Sequence, residues 1–416
     1  MDFSSDQDSL CSKCKGRLWC GKERCPLLVK FYAQLRTKPL IDSTRLEGSS
    51  PPSVFIGRFT YPKVFIGPVL PPVFGDTSLF DTPEKWSGLS IEEIVDFRFQ
   101  LVRGKFLNPV NNFDGKMVEL TREIALAEKS PDAELEFRKK PKGRVVLNDD
   151  VQPFGPSAPL SKIRISENVK YEKNLEKAFY DTDLRASEAV ISLYKNGVLI
   201  SKIQKAFSVG AFGLGKNRKF VPTRWSITAV DDTIGKSLME RTKEYPVVNE
   251  YRVYEHTQLD NRWLVLMIPR EWCYELIEAW YPNTVWNPVG RRIEIFSDHE
   301  FYDGRKTYAE IGGCYYAARL AVNELLNREK RQAGVVVLRE AHPGYIMPVG
   351  VWNVREAVRN ALKNHPQKFP TINEALDFVG KKMEIPVSRW VERSSVLKDT
   401  LRQRKLVDFF KGKANL

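Results

Sequence analysis

Apolar positions recur at helical spacing in several separated stretches of this chain. "LLVKFYAQLR" predicts a short helix, and "SIEEIVDFRFQLVRG" and "DGKMVELTREIALAEKS" repeat the pattern behind a Ser or Asp at a capping position. A long amphipathic helix is predicted over "YAEIGGCYYAARLAVNELLNREKRQ" and another over "VWNVREAVRNALKNH", whose cations lie toward the end the macrodipole favours. "TINEALDFVGKKM" and "SSVLKDTLRQRK" predict two more. Strands are predicted at "GRVVLN", "YRVYEHT", "RWLVLMIP" and "RRIEIFS", and "AGVVVLRE" reads as a buried strand. The stretch "SVFIGRFTYPKVFIGPVLPPVFG" repeats VFIG at Val54–Gly57 and Val64–Gly67 around a Tyr-Pro turn, which predicts a β-hairpin whose glycines permit a close backbone approach.

These elements do not alternate regularly, so the fold class is α+β, a mixed α/β arrangement without a doubly wound sheet. The expected organisation is a four-cysteine zinc module over residues 1–40 and a larger N-terminal mixed domain over 41–297. A smaller C-terminal α/β domain over 298–395 and a flexible tail over 396–416 complete it. The boundary is placed in "SDHEFYDGRKT", whose Asp298, His299, Glu300 and Asp303 read as a solvated linking loop.

The chain has 416 residues, 42% of them hydrophobic, which suits folded domains and not a disordered chain. Lys and Arg outnumber Asp and Glu by 65 to 52, and a net charge of +13 favours anionic partners such as nucleic acid. No stretch reaches the ~18 apolar residues of a membrane span, and no signal peptide is recognisable, so a cytoplasmic protein with no membrane partner is expected.

In a reducing cytosol, cysteines crowded into "CSKCKGRLWCGKERC" point to metal ligation. Cys11, Cys14, Cys20 and Cys25 stand in a C-x2-C-x5-C-x4-C spacing that delivers four sulfurs to one tetrahedral ion; Zn²⁺ is the expected occupant and an iron–sulfur cluster the competing one. Four thiolates leave no open position, so the site is expected to be structural. Lys13, Lys15, Arg17, Lys22 and Arg24 give the same loops a positive face suited to DNA.

Between Ala189 and Val230 there is no acidic residue and there are seven basic ones. Gly210, Gly215 and Lys216 match part of a P-loop pattern, but Asn217 replaces the Mg²⁺-binding hydroxyl and Pro222 interrupts the helix that should follow. The remaining expectation is phosphate contact by Lys216, Arg218, Lys219 and Arg224, with glycine N–H groups free to approach an anion. Phe212, Phe220 and Trp225 read as core fillers first and base-stacking groups second. Asp231 and Asp232 read first as caps of a helix over "DDTIGKSLMERTK"; a metal-dependent nuclease would instead use them to hold Mg²⁺ or Mn²⁺. A nucleotide-processing enzyme would be built on "LREAHPGYIMPVGVWNVRE", with Glu340 and His342 as its reactive candidates beside Arg339, Tyr345, Arg355 and Glu356.

Near the C-terminus, Gln403, Leu406, Phe409 and Phe410 spell Q-x-x-h-x-x-a-a, the interaction motif for the PCNA sliding clamp. One tight turn would present the three apolar side chains as a plug, and the flanking cations would steer it to an acidic clamp face. The four-cysteine module, the VFIG hairpin, "GKNRKFVPTRWSITAVDD", "GGCYYAARLAVNELL", "PVGVWNVREAVR" and this terminal motif together resemble the archaeal Nre family over essentially the whole chain. That resemblance implies a cytoplasmic, nucleoid-associated DNA repair protein working with DNA and the clamp, with zinc on the four cysteines; it implies no catalytic residues.

Overall fold

The computed structural model describes residues 14–402 apart from 15, 20, 23, 144–154, 167 and 289. Cys11, Cys20, Gln403, Leu406, Phe409 and Phe410, and nearly all of the strand expected at "GRVVLN", therefore lie outside the described residues. The described chain is mixed α and β, with twelve α-helices and two six-stranded mixed sheets. It divides into two compact units: residues 1–237 with 346–353, and residues 238–345 with 354–416.

In unit 1 the strands are β1 (Arg45–Ser49), β2 (Val54–Ile56), β3 (Lys63–Leu70), β4 (Val102–Pro109), β5 (Asp132–Phe137) and β6 (Ser157–Ile165), laterally ordered β1-β5-β6-β4-β3-β2. The VFIG repeat is a hairpin: β2 and β3 pair antiparallel, Phe55 opposite Gly67. A Cβ on Gly67 would lie 1.9 Å from the Gly104 carbonyl oxygen of β4, so the close backbone approach occurs at this glycine. Helices α1 (Pro26–Thr37), α2 (Ile91–Gln100), α3 (Lys116–Leu126), α4 (Lys173–Tyr180), α5 (Ala186–Lys195) and α6 (Ile200–Ser208) belong to this unit. Ser90 and Glu93 form a full capping box at the start of α2, and α3 lays Leu120 and Ile124 against the sheet core with Leu46, Leu135 and Leu160.

Helix α7 (Thr223–Thr242) starts directly after Pro222. Pro222 therefore precedes the helix instead of interrupting one, as its fixed φ and missing N–H allow. The expectation that Asp231 and Asp232 cap a helix is corrected here, because both sit in its interior.

Unit 2 is built on β7 (Tyr251–Gln258), β8 (Asn261–Ile268), β9 (Cys273–Trp280), β10 (Glu294–Glu300), β11 (Gly334–Ala341) and β12 (Gln367–Phe369), ordered β10-β9-β11-β8-β7-β12 with β9 and β11 parallel. Alternate residues pack to both faces. Leu264, Leu266, Ile277, Val336 and Leu338 meet Val379, Trp390 and Leu397 of α10 (Ile372–Lys382), α11 (Val387–Arg393) and α12 (Ser395–Arg402). Tyr274 donates its hydroxyl to the Tyr315 carbonyl of α8 (Gly313–Glu329) at 3.0 Å, from the other register of β9. Burial on both sides explains the continuous apolar runs of β8 and β11. Glu275, also fully buried, accepts the N–H groups of Ser395 and Val396 at 3.0 Å each and so caps α12. Helix α9 (Trp352–Ala361) begins in the short segment assigned to unit 1.

The cluster read as a solvated linking loop is corrected: Asp298, His299 and Glu300 lie in β10. Glu300 is buried and pairs with Arg319 at 2.8 Å, and Asp298 pairs with Arg305. The segment 298–307 where the boundary was expected overlaps the end of β10, and the compact units part at 237/238, within α7.

Candidate nucleic-acid interface

The turn between β2 and β3, residues 58–62, and the first residue of β3, Lys63, are exposed throughout. The turn's backbone closes on itself, Lys63 N–H donating to Thr60 O at 3.0 Å, and a second bond from Val110 N–H to Pro62 O at 3.0 Å holds the loop to the end of β4. These bonds settle the backbone and leave the side chains outward. Phe59 is 91% exposed and Tyr61 48%, with Arg58 lying over the Phe59 ring at 4.9 Å.

The start of α7 is fixed to the same hairpin. Ile56 N–H donates to Thr223 Oγ1 at 2.9 Å, and Trp225, 44% exposed, packs its ring on Tyr61 at 5.2 Å between centroids. Arg224, between those two anchors in sequence, is exposed. The result is a surface of Arg58, Phe59, Tyr61, Lys63, Arg224 and Trp225, drawn from segments more than 150 residues apart. Neither 48–75 nor 189–230 contains an acidic residue. Exposed rings interleaved with cations offer stacking to bases and attraction to phosphates.

The other members of the basic stretch divide by what they already hold. Phe212 and Phe220 are buried, and Phe220 packs on Phe113 with tilted rings 4.9 Å apart. Arg218 donates to the carbonyls of Gly213, Phe179 and Asp181 at 2.8, 2.7 and 2.7 Å, so its guanidinium ties the stretch to the end of α4. Gly210 N–H donates to Phe207 O and Gly215 N–H to Thr182 O, so these two N–H groups are taken up by backbone carbonyls. Gly210 has φ +60° and a Cβ would lie 2.7 Å from Lys219 O, which is why glycine stands there. Lys216 and Lys219 are exposed.

Asp231 is fully buried and accepts Gln204 Nε2 at 3.0 Å, while Asp232 pairs with Lys236 one turn on at 2.8 Å. Among the described residues no group of three or more His, Cys, Asp and Glu side chains is placed to hold a metal ion. Glu340 is buried and accepts the N–H groups of Ile385 at 2.8 Å and Glu384 at 3.2 Å; His342 lies 3.3 Å from it and stacks on Tyr281 at 4.3 Å. Arg339 pairs with Glu278 at 2.6 Å inside a cage of Trp263, Trp280 and Tyr345. Arg355 and Glu356 belong to a separate chain of charges running through Arg359 to Glu324. These groups brace unit 2.

Two of the four module cysteines are described. Cys14 is buried, and the Trp19 N–H points at its sulfur at 3.3 Å; this bond, outweighing the opposing effect of burial, lowers the thiol pKa with help from the Arg17 and Gly16 N–H groups. Positive φ at Gly16, Leu18 and Gly21 bends the turn so that these N–H groups reach the sulfur side. A turn that stabilises thiolate in this way fits a tetrahedral zinc ligand.

Residues 19–287 match the family model described as Archaeal Nre, N-terminal, and residues 300–409 match Archaeal Nre, C-terminal. The chain belongs to the archaeal Nre family. It is 44% identical to the DNA repair protein NreB of Archaeoglobus fulgidus over 399 residues, covering 96% of this chain and 99% of that one. It is 37% identical to the NreA DNA repair protein of the same organism, over 90% of this chain and 94% of that protein. Against NreA of Haloferax volcanii the identity is 34%, over 87% and 89% of the two chains. No solved structure matches. Among the described residues of this Nre-family protein, no helix is long and apolar enough to cross a membrane.

The hairpin tip is the part of the candidate surface that sequence reasoning missed. Its signal was present: two aromatics flanked by Arg58 and Lys63 in a turn with no apolar partner in register.

Proposed function

We propose that this Nre-family protein is a DNA repair factor of the cytoplasm and nucleoid. It binds DNA through the hairpin and the start of α7, and the PCNA sliding clamp brings it to sites of replication and repair. The observation that carries the DNA-binding reading is the packing of Trp225 on Tyr61, which gathers exposed rings and cations from two acid-free segments into one surface. Lys216 and Lys219 add phosphate contacts from the same acid-free stretch; Arg218 serves by holding that stretch in place.

The clamp reading rests on Gln403, Leu406, Phe409 and Phe410. Helix α12 is docked by Leu397 and by an ion pair of Arg270 with Asp399 at 2.8 Å, and the motif begins at the residue after Arg402 in sequence. The four cysteines hold one structural Zn²⁺, which pins the N-terminal module and presents its cations.

Size-exclusion chromatography of the full-length protein with the clamp, and titration of the protein with single-stranded and forked DNA, test both halves. Co-elution that Phe409→Ala/Phe410→Ala abolishes, together with salt-sensitive DNA binding, is the expected result. Co-elution by that double variant would place the clamp contact elsewhere, and absence of DNA binding at low salt would overturn the DNA half.

A further inference from the structure

Unit 1 also holds a cavity of about 690 Å³, bordered by the end of β1, the loop after Gly75, the loop Glu128–Asp132 and the first turns of α6. Its borders are cross-braced. Ser49 Oγ accepts the Gly75 N–H at 2.8 Å and donates to the Asp132 carboxylate; Thr77 Oγ1 donates to Ser49 O at 2.7 Å, and Ser50 N–H to Pro131 O at 2.9 Å. A cavity framed by so many bonds between separate segments is preformed, as ligand sites generally are.

The charges on its lining differ in how far they are already satisfied. Asp76 accepts the Ser78 N–H at 2.9 Å, Asp132 accepts the Ser49 hydroxyl, and Glu128 pairs with Lys170 at 3.0 Å. Lys205 is taken up by Asp81, donating to its carbonyl at 2.6 Å and lying 3.1 Å from its carboxylate. The other three lysines on the lining, Lys85, Lys129 and Lys202, make no ion pair among the described residues. At longer range Lys85 feels Asp76, Lys129 feels Glu128, and Lys202 feels Glu172 and Glu128. Lys202 is the most exposed to this deficit in partners: it is partly buried, and its ammonium has a single carbonyl, Glu128 O, at 3.4 Å. Burial lowers its pKa, so a bound anion would restore what desolvation removes.

The start of α6 is not the anion site by itself, since the Ser201 N–H already donates to Glu84 at 2.8 Å. The available donors are the three ammonium groups, brought from three different segments to one hollow. Lysine ammonium groups bind phosphate as point charges, and the volume lies within the roughly 300–1,000 Å³ of small-ligand sites.

We propose that this cavity binds a phosphomonoester on a nucleotide-sized body, either a free nucleotide or the phosphorylated end of a DNA strand, with Lys85, Lys129 and Lys202 as its cations. The site stands apart from the hairpin surface and does not depend on the DNA-binding reading.

Calorimetric titration of the full-length protein with AMP, adenosine, and a tetranucleotide with and without a 5′-phosphate tests it. A phosphorylated probe is expected to bind saturably and at least about 10-fold more tightly than its phosphate-free counterpart. Lys129→Gln/Lys202→Gln and the more exposed pair Lys85→Gln/Lys129→Gln are each expected to weaken that binding about 10-fold or more while the thermal midpoint holds. Binding of AMP identifies the free nucleotide as the source, and binding of the phosphorylated tetranucleotide alone identifies the DNA end. Failure of every probe to bind, affinity indifferent to the phosphate, or binding that survives in whichever double variant remains folded would overturn the proposal.

Discussion

The Ile56 backbone N–H donates to the Thr223 hydroxyl at 2.9 Å, fastening the first strand of the hairpin to the first residue of α7 across 167 positions of sequence. Thr223→Val keeps the shape and removes the acceptor, leaving a buried N–H without a partner. A loss of about 1–3 kcal/mol in urea unfolding is expected, with DNA affinity falling as the hairpin and Trp225 lose their mutual position. Thr223→Ser should restore both. Wild-type stability in the valine variant would show that this bond does not hold the hairpin.

Arg218 meets three carbonyls at once, which a lysine ammonium cannot copy in the same planar geometry. Arg218→Lys is therefore expected to lower stability by on the order of 2 kcal/mol despite conserving charge. Thermal unfolding measures the effect. An unchanged midpoint, with weakened DNA binding, would mean instead that the Arg218 guanidinium contacts DNA.

Asp81 sits between Lys205 at 3.1 Å and Arg98 at 3.0 Å and accepts the Ser53 hydroxyl. Burial pushes its pKa up, but Lys205 and Arg98 together outweigh that and hold it below the ordinary carboxylate value. Because the folded pKa lies below the unfolded one, the stabilisation is complete above the unfolded value, about 4, and is lost as pH falls through the folded value. Asp81→Asn should cost about 3 kcal/mol at neutral pH, where it strands two partly buried cations around a buried site. The gap from wild type should narrow on acidification below about pH 4. A gap independent of pH would contradict the ionised state.

For the cysteine module, native mass spectrometry of the full-length protein is expected to show one zinc per chain, lost in Cys14→Ser. Retention of a full zinc equivalent by that variant would remove Cys14 from the ligand set.

Much of unit 2 was legible because β8 and β11 carry continuous apolar runs and β7 alternates apolar Tyr251 and Val253 with polar residues. β9 was not. Glu275 and Glu278 interrupt its pattern, and only the structure supplies their compensation: the α12 N-terminus for one and Arg339 for the other. The same reason made Glu300 look like part of a wet loop, because its partner Arg319 lies on α8. In unit 1 the hairpin was legible from a ten-residue repeat, but its association with α7 was not, since no local pattern encodes a contact across so much chain. The basic stretch was legible as a charge distribution. Which of its cations are spent internally was not: Arg218 and Arg224 read alike in sequence, yet one is engaged by three carbonyls and the other is exposed.

The most direct measurement is fluorescence anisotropy of single-stranded DNA titrated with the full-length protein and with Phe59→Ala/Trp225→Ala. Phe59 is almost fully exposed and Trp225 loses one aromatic contact, so unfolding should move by no more than about 1.5 kcal/mol. Affinity should fall by at least 10-fold, on the order of 1–3 kcal/mol for each lost stacking contact, with the salt slope nearly unchanged because no cation is removed. Wild-type affinity in a folded double variant would contradict the assignment of this surface to DNA.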